Sequence, residues 1–435
     1  LGFKNKLNNL IKACFVAITA VYLIVSININ FGKNKWQDVL ESDAWGYYAY
    51  LPAVFIYHDL HFSFYEKVMH GGYFEERLSY EYRVGNNGLV ANKYFCGTAL
   101  AIAPFYIGAH VLSKNLGYPQ DGYNRLYILS VNIAAIFYTL LGLYFLRKIL
   151  AFYTEDLKII LIVLIAMAFG TQLFYYSFGE PGMSHVYSFC FVNLFLWKVK
   201  SWFVDKNNFG LFYAAFALGI IFLIRPINIL IVLFIPFLAG NFNELKFGFL
   251  TYFKNFKLML GTFFTFALMA CIQSIFYYLQ TGKIWVDTYP GEDFNFLKPY
   301  FLQILFSFKK GLFIYTPIVF LAQFSIFHWW KKQRFLAYSY LFFFIVLTYI
   351  LSSWWIWYYG GSFSLRAYIE YFGVFAILLT FLLKNTRLYK VNIFMITLLI
   401  ILCQIQTYQY RYFMIHWSEM DQEKYFDSLK HIFSV

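Results

Sequence analysis

Ala13-Cys14-Phe15-Val16-Ala17-Ile18-Thr19-Ala20-Val21-Tyr22-Leu23-Ile24-Val25-Ser26-Ile27 is an apolar run preceded by Lys4, Lys6 and Lys12. A helix of about 20 apolar residues crosses the roughly 30 Å of hydrocarbon in a bilayer, because each residue adds about 1.5 Å. With its flanks the run reaches that length. No small-x-small cleavage site closes it, so it reads as a retained first helix rather than a signal peptide. Similar runs follow at 123–147, 157–177, 184–201, 209–224, 227–240, 257–280, 311–329, 334–352, 366–384 and 390–408. With 10–28 they make about 11 expected spans. The stretch 97–112 is short and carries Pro104, so it reads as a helix lying in or dipping into the interface.

Composition agrees. Apolar residues make up 61% of the chain and charged residues 13%, with a mean hydropathy of +0.57. Ordinary soluble domains carry about 25% charged residues. The expected class is an all-α integral membrane protein, one polytopic domain over residues 1–435, with interfacial helices in the first outer loop. There are no internal repeats, low-complexity tracts or appended soluble domains. The net charge of +13 does not indicate nucleic acid. Its basic residues recur between apolar runs, as Arg147-Lys148, Lys198 with Lys200, Lys331-Lys332 with Arg334, and Lys384 with Arg387 and Lys390. Of five cysteines, Cys14, Cys190, Cys271 and Cys403 lie in apolar runs and Cys96 follows Tyr94, with no CxxC or Cys/His spacing for zinc or disulfides.

A cytoplasmic N-terminus, with 97–112 not crossing, puts 18 of the 35 basic residues inside but only four of the 22 acidic ones. Making 97–112 a span would move the Lys331 and Lys384 clusters outside, against the positive-inside rule. The unusual polar residues then share the outer face. They occupy the loop 28–96, the turn 179–185, Arg225-Pro226, the loops 281–310 and 352–366, and the tail from Tyr408.

The first outer loop opens on Glu41-Ser42-Asp43-Ala44-Trp45-Gly46-Tyr47-Tyr48-Ala49-Tyr50. In a helix Asp43, Tyr47 and Tyr50 share a face. Asp43 suits a general base at the membrane surface, and it also suits a helix N-cap. The loop closes on Asn92-Lys93-Tyr94-Phe95-Cys96-Gly97-Thr98. This order of first helix, Asp43 with Tyr47, long loop and Lys93-Tyr94 resembles the GT-C superfamily. Its members are polytopic glycosyltransferases using polyprenyl-phosphate-linked sugars, among them protein mannosyltransferases and the aminoarabinose transferases of lipid A. The resemblance makes Asp43 the match for the essential acid of the first outer loop. Many members carry Lys or His before Pro-Pro-Leu at the loop's end, whereas Lys93 here precedes Tyr94-Phe95.

Cleaving a sugar–sugar bond takes two carboxylates, because an alkoxide leaves poorly. A phosphate leaves as a stable anion, so one base plus positive charge suffices. Arg225, between two apolar runs, and Arg366, after Gly360-Gly361, suit the phosphate. Arg225 and Lys93 also read as snorkelling side chains, and Arg366 also reads as an i,i+4 partner of Glu370. Glu180 and His185, in Gly179-Glu180-Pro181-Gly182-Met183-Ser184-His185, suit sugar orientation or a divalent cation, and equally a Pro-Gly turn with Ser184 capping the next helix. One carboxylate and one imidazole do not make a metal site, so no metal ligand is assigned. Trp354, Trp355, Trp357, Tyr358 and Tyr359 suit an interfacial belt or sugar stacking, with Trp357 and Tyr358 taken as substrate-binding. The loop 285–310, with Asp287, Glu292 and Asp293, reads as an acceptor lid.

The expected function is an inverting transfer of a sugar from a polyprenyl-phosphate donor to an acceptor hydroxyl on the non-cytoplasmic side of a bacterial inner membrane. Asp43 is the base. Lys93, Tyr94, Arg225, Arg366, Glu180, His185, Tyr47, Trp357 and Tyr358 bind substrate. The acceptor is a protein, lipid or polysaccharide. The rival expectations are a transporter or lipid flippase, which calls for broken helices near the midplane, and a non-catalytic subunit of an envelope assembly.

Overall fold

A computed structural model describes residues 2–432 except 33–34, 72–73, 76–77, 79, 87–88 and 385–387, and leaves out the side chains of residues 2–8 and Asn86. Arg387 and the side chains of Lys4 and Lys6 therefore lie outside the described residues. The chain is mostly helical, and among the described residues six helical stretches are long and apolar enough to cross a membrane. They are Asn9–Asn30, Arg125–Leu150, Phe256–Thr281, Arg334–Ser352, Arg366–Lys384 and Tyr389–Arg411.

In chain order, α1 (Gly2–Asn30) leads into α2 (Asp43–Pro52) and α3 (Tyr65–Met69), then a hairpin of β1 (Arg83–Asn86) and β2 (Leu89–Asn92). Next come α4 (Gly97–Asn115), α5 (Arg125–Leu150), α6 (Leu157–Phe169), α7 (Leu173–Tyr176), α8 (His185–Asp205) and α9 (Phe209–Ile224). A 3-10 segment Pro226–Phe234 joins α9 to α10 (Ile235–Ala239), followed by α11 (Phe242–Lys254) and α12 (Phe256–Thr281). Short helices α13 (Phe301–Phe306), α14 (Leu312–Tyr315), α15 (Pro317–Gln323) and α16 (Ser325–Lys332) precede α17 (Arg334–Ser352). A 3-10 turn Arg366–Tyr371 opens α18 (Phe372–Lys384), before α19 (Tyr389–Arg411) and α20 (Gln422–Lys430).

Local chemistry starts several of these helices. Asn124, Asp156, Asn241, Asn255 and Asp421 each accept a backbone N–H of the helix that follows, supplying one of the donors a helix start leaves unpaired. The apolar windows of α5 and of 366–384 are 72% and 83% buried, whereas those of α1, α12 and α19 are 22% or less, which puts the first two at the centre. α8 packs between α5 and α9.

Several expectations need correction. The all-α reading missed the two-stranded hairpin, which lies inside the first outer loop. The run 157–177 is not one helix: it stops at Phe169 and restarts at Leu173. The run 311–329 is three helices, broken at Thr316 and at Phe324, and 227–240 begins as a 3-10 helix. Hydropathy sums over these stretches without registering a break whose polar groups find partners. At one break the Gln172 amide donates to Tyr315 O and accepts from Thr316 Oγ1.

The two ends of the bundle differ chemically. At one, Lys200 Nζ donates to Leu238 O and Lys384 Nζ to Tyr153 O, each at 2.9 Å, while Lys206 pairs with Glu244 at 2.6 Å. At the other, Arg125 reaches Phe31 O, Tyr48 OH donates to Gly122 O, and the turn at Gly182 meets Ala44. α4 begins against the last residues of α9 and runs beside only the N-terminal half of α5. Phe105 meets Phe137, His110 and Tyr106 meet Tyr127, and Ser113 meets Asn124. The helix is 19 residues long, three more than the apolar stretch 97–112.

The α4–α9 contact rests on Gly97, where a Cβ would lie 2.3 Å from Leu223 C and 2.4 Å from Ile224 N. Backbone cannot move aside as a side chain can. Gly97→Ala is expected to cost about 1–3 kcal/mol by overpacking. Gly108→Ala in the same helix, where a Cβ meets nothing within 4 Å, should gain up to about 1 kcal/mol from helix propensity. Thermal melting of the two detergent-solubilised variants reads the opposite signs.

Candidate active site

Ser42 enters α2 with φ 51° and its side chain caps nothing. The Asp43 carboxylate does not turn back onto the helix either. Its Oδ1 accepts Tyr94 OH at 2.7 Å and Tyr80 OH at 3.1 Å, and its Oδ2 accepts Arg366 Nη2 at 2.9 Å. The Tyr80 and Tyr94 hydroxyls are 2.5 Å apart. Asp43 is thus held from three segments, with 20% of its side chain exposed. Burial pushes its carboxyl up, but the Arg366 charge and the two tyrosine hydrogen bonds prevail and hold it below the ordinary carboxylate value.

The partner tyrosine is placed by backbone chemistry. Asn92, fully buried, donates to Gly46 O at 2.7 Å and accepts Tyr94 N at 2.9 Å, while Tyr50 OH donates to Tyr94 O at 2.8 Å. Gly46 is required, since a Cβ there would sit 2.1 Å from the Tyr94 ring. Tyr47 lies beside the same ring, with centroids 4.8 Å apart.

Arg366 does not pair with Glu370. Residues 366–371 form a 3-10 helix, in which i and i+4 point about 120° apart instead of sharing a face. Arg366 turns to Asp43. Glu370, fully buried, accepts from His185 Nδ1 at 3.0 Å, Arg225 Nη1 at 3.3 Å and Asn228 Nδ2 at 3.3 Å. Arg225, at the break after α9, also stands 5.9 Å over the Tyr359 ring. Two carboxylate–arginine pairs therefore meet around one short 3-10 turn.

Other residues sort differently from the sequence expectation. Lys93 makes no bond to Asp43: its Nζ lies 2.5 Å from Glu292 Oε1 and 4.9 Å over the Tyr289 ring, fastening the loop after α12. That loop is pinned on its other side by Asn295 N to Ser353 O and Trp355 N to Asp293 O. Tyr289 covers the Tyr94 ring edge-on at 6.4 Å. Glu180 and His185 do not act together, because His185 turns to Glu370 while Glu180 faces the charge of Arg366. Ser184 does not cap α8 with its side chain. Trp357 stacks on Tyr300 and Tyr358 lies under Lys309 Nζ, so the aromatic that meets a site arginine is Tyr359.

Sequence reasoning missed Tyr80, Tyr289, Tyr359 and Lys310 as individual participants. Lys310 is 1% exposed and donates to Gly360 O at 2.5 Å and Ser362 Oγ at 2.6 Å, pinning the loop that carries Arg366. A lysine beside Gly311 at a run's edge gave no signal of burial. Among the described residues no three His, Cys, Asp or Glu side chains gather as a metal site. The arrangement offers an ionised, reachable carboxylate beside two arginines, suited to taking a proton where an anion departs. No protein-family model, curated protein or solved structure matches this chain.

Burial pushes the Glu180 carboxyl up to about 7, against opposing attraction from Arg366. In the unfolded chain it titrates near its ordinary value of 4.5. Between those values the folded state holds the extra proton, so stability falls as pH rises through the window and levels off above it. Glu180→Gln is expected to flatten this slope, a relative gain on the order of 1–3 kcal/mol at pH 8 over pH 4. Melting temperatures at both pH values check it.

Proposed function

We propose that the protein is a polytopic membrane glycosyltransferase of the GT-C kind, moving a sugar from a polyprenyl-phosphate donor to an acceptor hydroxyl. The carrying observation is the Asp43 carboxylate, held by Tyr80, Tyr94 and Arg366 yet partly exposed, with the Arg225–Glu370 pair beside it. The Asp43 end of the bundle is taken as the non-cytoplasmic side and the lysine-rich end as cytoplasmic, following the positive-inside rule.

In this reading the acceptor oxygen attacks the anomeric carbon from the face opposite the phosphate. The new carbon–oxygen bond forms as the carbon–phosphate-oxygen bond breaks, and configuration inverts. The hydroxyl proton passes to Asp43, and the leaving phosphate keeps the bonding electron pair. A carboxylate held below its ordinary value is a modest base, suited to accepting the proton late, when the attacking hydroxyl has become acidic. Arg366 keeps donor capacity for the phosphate at Nη1, which meets Met183 Sδ at 3.5 Å. Arg225 adds a second positive charge.

A transporter reading draws on one observation, the charged break between α9 and the 3-10 segment Pro226–Phe234. The break at Gln172 and Thr316 also lies near Phe363, on the approach to Arg366. Broken helices grouped around one carboxylate fit a reaction cavity better than two related half-sites.

The test is mass spectrometry of lipids copurifying with wild type and with Asp43→Asn. The variant should retain a polyprenyl-phosphate sugar where wild type holds the bare phosphate, and its transfer rate should fall about 10²–10⁴-fold. Full transfer activity in Asp43→Asn would sink the enzyme reading. Absence of any polyprenyl lipid from both proteins would remove the donor assignment.

A further inference from the structure

Interior polar atoms without partners are rare in folded proteins, and each calls for an explanation. Three occur together around the turn that carries Arg366: Arg366 Nε, Glu180 Oε2 and Ser364 Oγ. Ser364 is two residues before Arg366, is 4% exposed, and holds φ 57°. Glu180 is tied to the same place from the other side, since Met183 N donates to Glu180 O at 3.1 Å and Met183 Sδ receives Arg366 Nη1. Behind them Lys310 pins Gly360 and Ser362.

The set is mixed: a guanidinium N–H that only donates, a carboxylate oxygen that accepts, and a hydroxyl that does either. A phosphate would satisfy the arginine but be repelled by the glutamate whenever that carboxyl is ionised, and it offers no hydrogen to the carboxylate oxygen. An alkyl chain would satisfy none. A ring bearing adjacent hydroxyls satisfies all three, because each hydroxyl both donates and accepts. Asp43 is bonded to Nη2 of the same guanidinium, the nitrogen that flanks the Nε edge, so a ring seated here has its reacting carbon near the base.

We infer that Glu180, Ser364 and the Nε edge of Arg366 form the subsite for the hydroxyl-bearing sugar ring of the donor, and so select which sugar is moved. The inference rests on the glycosyltransferase reading. Glu180 and Ser364 bind the ring and take no part in proton transfer. The polyprenyl phosphate itself is held elsewhere on the arginines, so losing the subsite removes the preference for a sugar-bearing lipid and leaves the affinity for the bare one.

The experiment compares the copurifying lipids of Asp43→Asn alone with those of Asp43→Asn combined with Glu180→Gln, and combined with Ser364→Gly. Ser364→Gly removes the hydroxyl at a backbone angle glycine adopts freely, which guards against a folding failure in the glutamate variant. The ratio of sugar-bearing to bare polyprenyl phosphate is expected to fall about tenfold in each double variant, the loss of one or two buried hydrogen bonds. Total polyprenyl phosphate bound should stay unchanged. An unchanged ratio overturns the subsite and leaves its three atoms to water, with the donor assignment intact. No polyprenyl lipid on Asp43→Asn alone overturns both. An equal loss of bare and sugar-bearing lipid overturns the subsite in favour of a phosphate-binding role for Glu180 and Ser364.

Discussion

The ion pair between Asp43 and Arg366 is the constraint around which this end of the molecule is built. It joins residues 323 positions apart, one opening α2 and the other opening the 3-10 turn before α18. Each charge is largely enclosed, with 20% and 12% of its side chain exposed. Separated, either would sit partly desolvated without a counter-charge, which costs several kcal/mol by the order of such effects. Together they fix α2 over the helix ends, and Tyr80 and Tyr94 close the remaining side of the carboxylate.

Positioning that pair requires irregular backbone where long apolar helices would otherwise run on. α9 stops at Arg225, α6 stops at Phe169, and the chain after α13 proceeds in short helices. Every such break frees backbone groups that an apolar surrounding penalises. Buried amides answer them. Gln172 bridges the breaks on both sides, Asn92 links Gly46 to Tyr94, and Gln409 ties α19 to α20 through Ser428 O. The non-helical backbone gathers around the carboxylate cluster, while the lysine-rich end is closed by ordinary side-chain-to-carbonyl contacts.

Much of the candidate site was legible before any coordinates. Asp43 and Tyr94 stood out because they open and close the long first outer loop, Arg366 because it follows Gly360-Gly361, and Arg225 because a charge between two apolar runs is costly unless it has work or a partner. The pairings were not legible. Helical periodicity pointed Arg366 at Glu370, and the 3-10 geometry of that turn undid it. Closeness in sequence pointed Glu180 at His185, and the start of α8 turned His185 towards Glu370 instead. Lys93 looked like a ligand and serves as a fastening for the loop after α12. Lys310, only the last residue of the expected lid loop in the sequence, is 1% exposed.

Composition and the spacing of apolar runs determined that this is a helical chain with membrane-length segments and with its unusual polar residues between them. Those properties are sums over neighbouring residues, and water and hydrocarbon act on them locally. Which carboxylate meets which cation was decided by the tertiary structure alone. Such a pairing depends on distances of about 3 Å between segments far apart in the chain, as with Arg366 Nη2 and Asp43 Oδ2 at 2.9 Å. It turns on the rotation of one 3-10 turn, and periodicity within a segment carries no information about that.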